Sequence, residues 1–116
     1  MGILLEIHYV VAFLLVLCAI VFSWTSLGRR VVSAVAILQL VLGITLAGLI
    51  GAKHVPLPPL IWLHILCTFV VLGSYGFAMR YGRRAGGARI ALAFSVAGAF
   101  FIFLTFYIGL HMARVA

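Results

Sequence analysis

The chain has 116 residues, of which 67% are hydrophobic and only 8% are charged, and its mean hydropathy is +1.38. A water-soluble domain is about half apolar and about a quarter charged, so this composition excludes a soluble globule. The net charge of +7 does not indicate nucleic-acid binding, because the basic residues lie only at the ends of apolar segments.

Four apolar segments are each long enough to cross a bilayer, which takes roughly 20 apolar residues. In chain order, we predict helices at about 3–26, 31–52, 59–79 and 89–112. Gly28, Arg29 and Arg30 are expected to end the first helix, and a proline-rich stretch at 56–59 precedes the third. Short loops force consecutive helices to be antiparallel neighbours. The predicted fold is all-α, a single integral membrane up-down four-helix bundle over residues 1–116.

Arginine is concentrated in or beside the first and third loops. The six residues there are Arg29, Arg30, Arg80, Arg83, Arg84 and Arg89, against Lys53 in loop 2 and Arg114 near the C-terminus. Lys and Arg collect on the cytoplasmic side of membrane proteins. We therefore expect loops 1 and 3 in the cytoplasm, loop 2 and both termini outside, and a location in the inner membrane of a prokaryote. The arginines could also contact lipid head groups or a partner protein.

The two cysteines, Cys18 and Cys67, lie inside apolar segments and are expected to be packing residues rather than a disulfide. The N-terminus lacks the basic region and the small-residue cleavage site of a signal peptide, so we expect helix 1 to stay in the protein. Zinc and copper sites favour closely spaced sets such as His-x-x-x-His or Cys-x-x-Cys, and the sequence has neither.

The polar residues at membrane depth are the candidates for chemistry, because such groups are costly in lipid and usually mark function. They are Glu6, His8, Gln39, His64 and His111. With a rise of about 1.5 Å per residue, His8 and His64 lie roughly 7–8 Å below the outer ends of helices 1 and 3. Helix 4 returns His111 to the same level, and His54 lies on the loop above it. Three histidines on three helices therefore share one depth.

Two imidazoles on opposite helices of a bundle can serve as the axial ligands of a haem. His8 and His64 are predicted to be this pair, since helices 1 and 3 are diagonal to each other, and Gly43 on helix 2 leaves room for the ring. Three groups lie at the height expected of the haem propionates: Lys53, Arg114 and His111. His111 could instead contact a quinone or ligate iron, and His54 could ligate or be solvated. Any of the four histidines could also simply hydrogen-bond water or a backbone carbonyl.

Glu6 is the only acidic residue in the chain and lies just outward of His8. It could orient a histidine or accept a proton in catalysis. It could equally be a hydrated carboxylate at the start of a helix, where the helix dipole favours negative charge. Gln39 is expected to hydrogen-bond a neighbouring helix.

Residues 4–75 resemble one half of the haem A synthase family. That family has a helix opening with an acid and a histidine, a helix with Gln-x-x-Leu-Gly, a proline-rich outer loop and a helix opening with Leu-His. The matching stretches are Glu6-Ile-His8, Gln39-Leu-Val-Leu42-Gly43, Val55-Pro-Leu-Pro-Pro59 and Leu63-His64. The resemblance implies that His8 and His64 are paired haem ligands.

Three features differ from that family. Its enzyme has two such bundles, its acid and histidine stand further apart than Glu6 and His8, and its outer loop carries a cysteine pair that is missing here. The resemblance therefore implies a shared haem-binding scaffold more than shared catalysis.

The leading hypothesis is a b-type cytochrome subunit that holds one haem b near the outer face. It would transfer electrons, for instance from quinol, within a larger respiratory complex or a homo-oligomer in the lipid bilayer. A second hypothesis is a half-size haem-modifying enzyme related to haem A synthase, assisted by Glu6 and completed by two copies. A third is a structural membrane subunit without a cofactor.

Overall fold

The computed structural model describes residues 2–54 and 56–115, without the side chains of 114 and 115. The described residues form four α-helices and no strand: α1 (Gly2–Phe22), α2 (Ser26–Ala52), α3 (Leu60–Gly82) and α4 (Ala88–Val115). Each helix is long and apolar enough to cross a membrane. The predicted all-α architecture of four membrane-length helices is confirmed.

The helices pack as a ring in which each contacts its neighbours in chain order, and α4 closes the ring against α1. Therefore α1 and α3 face each other across one diagonal, and α2 and α4 across the other. The bundle measures 51 × 23 × 21 Å. One end, called here the histidine end, carries the α2–α3 loop and the chain termini. The opposite end, the arginine end, carries the α1–α2 and α3–α4 turns.

The boundary between α1 and α2 differs from the prediction. The first helix ends at Phe22 rather than near residue 26, and α2 begins at Ser26. Thr25 is the N-cap residue of α2, because its Oγ1 accepts a hydrogen bond of 3.0 Å from the backbone N–H of Gly28. A Cβ at Gly28 would lie only 1.8 Å from the carbonyl oxygen of Phe22, so this tight turn requires glycine.

Arg29 and Arg30, which the sequence analysis placed in the first loop, are therefore helical, and that prediction was wrong for both. Arg29 is also buried, with only 8% of its surface exposed. Its Nε donates to the carbonyl oxygen of Ser23 at 3.0 Å and to Ser95 Oγ at 2.8 Å. This arginine thus connects the α1–α2 turn to α4, whereas Arg30 is exposed.

The third and fourth helices are longer than predicted, reaching Gly82 and Val115. The last turn of α3 is held against α4 by Tyr81, whose ring stacks on Phe94 with centroids 5.8 Å apart. At the start of α3, Pro59 has helical backbone angles of −57° and −33°, as expected for proline at a helix start.

The middle of the bundle is a packed apolar core. Its buried members are Leu15, Val16, Ala19, Val32, Ala36, Val71, Tyr75 and Ile102. Tyr75 is fully buried, and its hydroxyl forms a hydrogen bond of 2.7 Å with Ser23 Oγ. The core therefore fills the space between the arginine end and the polar residues at the histidine end.

Candidate functional site

The site begins with two histidines on diagonal helices. His8 of α1 and His64 of α3 face each other towards the histidine end, with ring centroids 6.4 Å apart and ring planes at 77°. Both residues are half-buried. The structure thus brings together the two histidines that the sequence analysis had paired across helices 1 and 3.

The ring of His64 is held by α4. Its Nδ1 lies 2.9 Å from Thr105 Oγ1, and the same hydroxyl lies 3.2 Å from the His64 carbonyl oxygen. The hydroxyl has one proton, so it accepts from Nδ1–H of the imidazole when it donates to the carbonyl, and donates to Nδ1 when it does not. In the first arrangement Nε2 of His64 keeps a free lone pair, which is the form of imidazole that binds a metal.

The surroundings of His8 are different. Gln39 of α2 donates from its Nε2 to the backbone carbonyl oxygen of His8 at 3.1 Å, so the predicted hydrogen bond to a neighbouring helix is confirmed. Two further atoms, His8 Nδ1 and Gln39 Oε1, are buried and have no hydrogen-bond partner among the described residues. Both residues line the same cavity.

The cavity between the helices has a volume of about 260 Å³ towards the histidine end and a narrow extension of about 40 Å³ towards the core. His8 and His64 belong to the walls of both parts, and all four helices contribute. The other lining residues are mostly apolar, among them Ala12, Leu46, Ile65 and Phe106. The two imidazoles are thus among the few polar groups in an apolar space.

Two glycines on the second diagonal leave this space open beside the imidazoles. A Cβ on Gly43 of α2 would lie 3.4 Å from His8 Cε1, and one on Gly109 of α4 would lie 3.3 Å from His64 Cε1. A role for Gly43 was expected from the sequence, whereas Gly109 was not among the expected site residues. Gly109 could have been found by its position, because it is a small residue at the histidine level of the fourth helix.

The remaining predicted site residues do not line the cavity in the part of the chain that the structure describes. Glu6, Lys53, His54 and His111 are exposed, and His54 has a positive φ of 56°. The side chain of Arg114 and the loop residue Val55 lie outside the described residues. The site is therefore built on two of the four histidines, and Thr105 and Gly109 are additions that only the structure shows.

The distance between the two ring centroids is close to that of two imidazoles opposed across one metal ion. Metal–nitrogen bonds of about 2 Å place the ring centroids of two opposed imidazoles roughly 6 Å apart. The observed separation is 6.4 Å. The described residues contain no group of three or more His, Cys, Asp or Glu side chains that could hold a metal ion by themselves. Two imidazoles alone would supply only part of a metal's ligand set, and the other ligands would have to come with the metal.

Comparisons with protein-family models, curated proteins and solved structures gave no match to this chain.

Proposed function

We propose that the protein is a membrane subunit that binds one haem b between His8 and His64 and serves in electron transfer. The observation that carries the proposal is the pair of imidazoles on diagonal helices, 6.4 Å apart in an apolar cavity. A bound haem iron supplies one-electron exchange, and the protein supplies ligation, orientation and the dielectric surroundings.

Each part of the chain has a defined task in this proposal. Thr105 holds the proton of His64 on Nδ1, which orients the ring and strengthens Nε2 as a ligand. Gly43 and Gly109 keep α2 and α4 clear of the space beside the imidazoles. Apolar side chains such as Ile65 and Phe106 line the site, and low polarity around a redox centre tunes its potential.

The proposed location follows from charge. Six arginines lie at the arginine end, so we place that end in the cytoplasm of a prokaryotic cell and the histidine end at the outer face of its inner membrane. Lys53 and His111 are exposed at the histidine end, as side chains that meet propionates at an aqueous face would be. Arg114 is placed with them from the sequence alone.

A single haem at one end of the bundle would not carry electrons from one face of the membrane to the other. We therefore place the chain within a larger respiratory complex or a homo-oligomer, where quinol in the bilayer is a suitable donor. The fold alone does not determine this role, since four-helix bundles serve many functions.

Absorption spectroscopy of the purified protein tests the proposal. The chain is produced in bacterial membranes, extracted in mild detergent and measured oxidised and reduced, and the haem type is identified after extraction. We expect one haem b per chain, with sharp reduced bands that are lost in His8→Ala and in His64→Ala. His54→Asn is the matched control, because His54 is exposed and asparagine tolerates its positive φ.

Three results would count against the proposal. A colourless but folded preparation contradicts haem binding and favours the structural subunit. Retention of the bands in both histidine variants contradicts the ligand assignment. A chemically modified haem in the wild-type protein points instead to the haem-modifying enzyme that the resemblance suggests, and Glu6→Gln then tests whether the acid takes part.

A further inference from the structure

We propose that the guanidinium of Arg29 binds the phosphate of an anionic phospholipid at the arginine end of the bundle. The inference concerns the opposite end of the molecule from the histidines, so it does not depend on the proposed haem site. It starts from a charged side chain that is only 8% exposed and that contacts residues of the α1–α2 turn, α3 and α4.

Two hydrogen bonds fix the orientation of this guanidinium. Its Nε donates to the carbonyl oxygen of Ser23 at 3.0 Å and to Ser95 Oγ at 2.8 Å. Its Nη1 lies against the last residue of α3, because a Cβ on Gly82 would be 3.3 Å from that nitrogen. Gly82 is exposed, so the Nη edge of the guanidinium lies near the surface of the bundle. The Nη groups donate to none of the described residues, whereas Nε is fully used.

No acidic side chain lies near Arg29. The only one in the chain is Glu6, which is roughly 24 Å along α1 from the end of that helix at Phe22. The two oxygens that Nε contacts are neutral, and a buried charge without an opposite charge is costly. The planar fork of an arginine fits two oxygens of one phosphate. The Nη edge is therefore suited to an anion from outside the chain.

The charge around Arg29 favours a lipid as the source of this anion. The other five arginines of this end are all exposed: Arg30, Arg80, Arg83, Arg84 and Arg89. Arg84 is held over the ring of Tyr81, with Cζ 5.1 Å from the ring centroid. Basic clusters at the ends of membrane helices attract anionic lipids. Lipid head groups surround every copy of a membrane-spanning bundle at the ends of its helices, whereas a carboxylate would require a partner protein.

Lipid titration of the purified protein tests the site. The full chain in neutral detergent is titrated with dioctanoyl phosphatidylglycerol, dioctanoyl phosphatidylcholine or inorganic phosphate, and native mass spectrometry counts the bound molecules. We expect one phosphatidylglycerol to bind on the order of tenfold more tightly than phosphatidylcholine, whose choline the arginines repel. Inorganic phosphate should bind more weakly still, because it has no acyl chains to pack on the apolar helices.

Two pairs of variants separate a defined site from diffuse attraction. Arg29→Met and Arg30→Met remove the same charge, but only Arg29→Met should weaken phosphatidylglycerol binding by about 10–100-fold, as expected for lost hydrogen bonds to a charged group. Gly82→Val keeps every charge and presses a branched side chain on Nη1, so it should also weaken binding. Gly76→Val on the same helix, where a Cβ meets nothing within 4 Å, is its matched control and should bind as the wild type does.

Gly82→Val decides the question if Arg29→Met does not fold, because it leaves both Nε hydrogen bonds in place. Equal losses in Arg29→Met and Arg30→Met would overturn the inference, since diffuse attraction would then account for the binding. Unchanged binding in Gly82→Val would overturn it as well. A wild-type protein that binds phosphatidylcholine or inorganic phosphate as tightly as phosphatidylglycerol would contradict the assignment to an anionic lipid. The presence or absence of haem changes none of these outcomes.

Discussion

Gly98 of α4 lies directly against the ring of Tyr75 of α3, so that a Cβ at position 98 would be 2.6 Å from Tyr75 Cε2. Because Gly98 has no side chain, α3 and α4 can pack closely around Tyr75, which is fully buried. The contact between these two helices is the most extensive in the bundle.

Gly98→Ala should therefore destabilise the bundle although alanine favours helices. Inserting a methyl group into a packed core costs about 1–3 kcal/mol. The matched control is Gly73→Ala on α3, where a Cβ meets nothing within 4 Å and helix propensity predicts a gain of up to about 1 kcal/mol. Unfolding in detergent, followed by circular dichroism, measures both. Equal stability of the two variants would contradict the packing argument.

Tyr75→Phe should lower the stability of the bundle by less than Gly98→Ala does, because it removes only the hydroxyl that forms a hydrogen bond with Ser23 Oγ. Hydrogen bonds between membrane helices contribute about 0.6 kcal/mol on average. Ser23 keeps its bond to the carbonyl oxygen of Ala19, so no other group loses its partner. Tyr107→Phe is the control, since Tyr107 is 65% exposed, and it should match the wild type in the same unfolding assay.

Arg29→Met and Arg30→Met remove the same charge from the same end of the bundle, but we expect only the first to destabilise it. Arg29 is buried and donates to Ser23 and Ser95, and hydrogen bonds to charged groups contribute about 1.5–3 kcal/mol. Arg30 is exposed. Unfolding in detergent compares the two variants. Equal losses would show that charge, and not the buried contacts, decides the effect.

Gly43→Val should reduce haem binding, because a branched side chain would press on the His8 ring from α2. Gly48→Val on the same helix has open space around it and should retain the cofactor. The ratio of haem to protein in purified samples provides the comparison, with circular dichroism to confirm that both variants are folded. Full haem content in Gly43→Val would mean that the ring occupies another side of the imidazoles.

The proposed orientation predicts a difference between two single cysteines. Ala85→Cys lies in the α3–α4 turn at the arginine end, and Ala52→Cys lies at the end of α2, and both positions are exposed. In intact cells, a membrane-impermeant maleimide should label Ala52→Cys and not Ala85→Cys. The wild-type chain, whose Cys18 and Cys67 lie within helices, is the background control. The reverse labelling pattern would invert the proposed topology.

The sequence predicted the four apolar helices and the pairing of His8 with His64, because hydropathy and helix rise depend only on position along the chain. It did not predict which face of each helix turns inwards, since these helices are apolar nearly all round. Thr105 was missed for this reason, since nothing in its apolar surroundings along the chain shows that its hydroxyl faces His64.

The error at Arg29 has a different physical origin. A basic pair after glycine is typical of a loop, which is why Arg29 was expected there. Thr25, however, is the N-cap of α2, so the helix already includes both arginines. Burial of Arg29 then depends on Ser23 and Ser95, which are six and 66 positions away along the chain. No local pattern contains that information.

The division of the site among all four helices has a consequence for biogenesis. A chain that enters the membrane from its N-terminus has both histidines in place after α3, yet Thr105 and Gly109 arrive only with α4. In the proposed haem site, the cofactor would therefore be held at full strength only after the last helix is inserted and closes the ring. In a growing cell, the amount of bound haem would then follow the number of finished bundles rather than of synthesised chains, and a chain truncated after α3 would keep both histidines but hold haem less tightly.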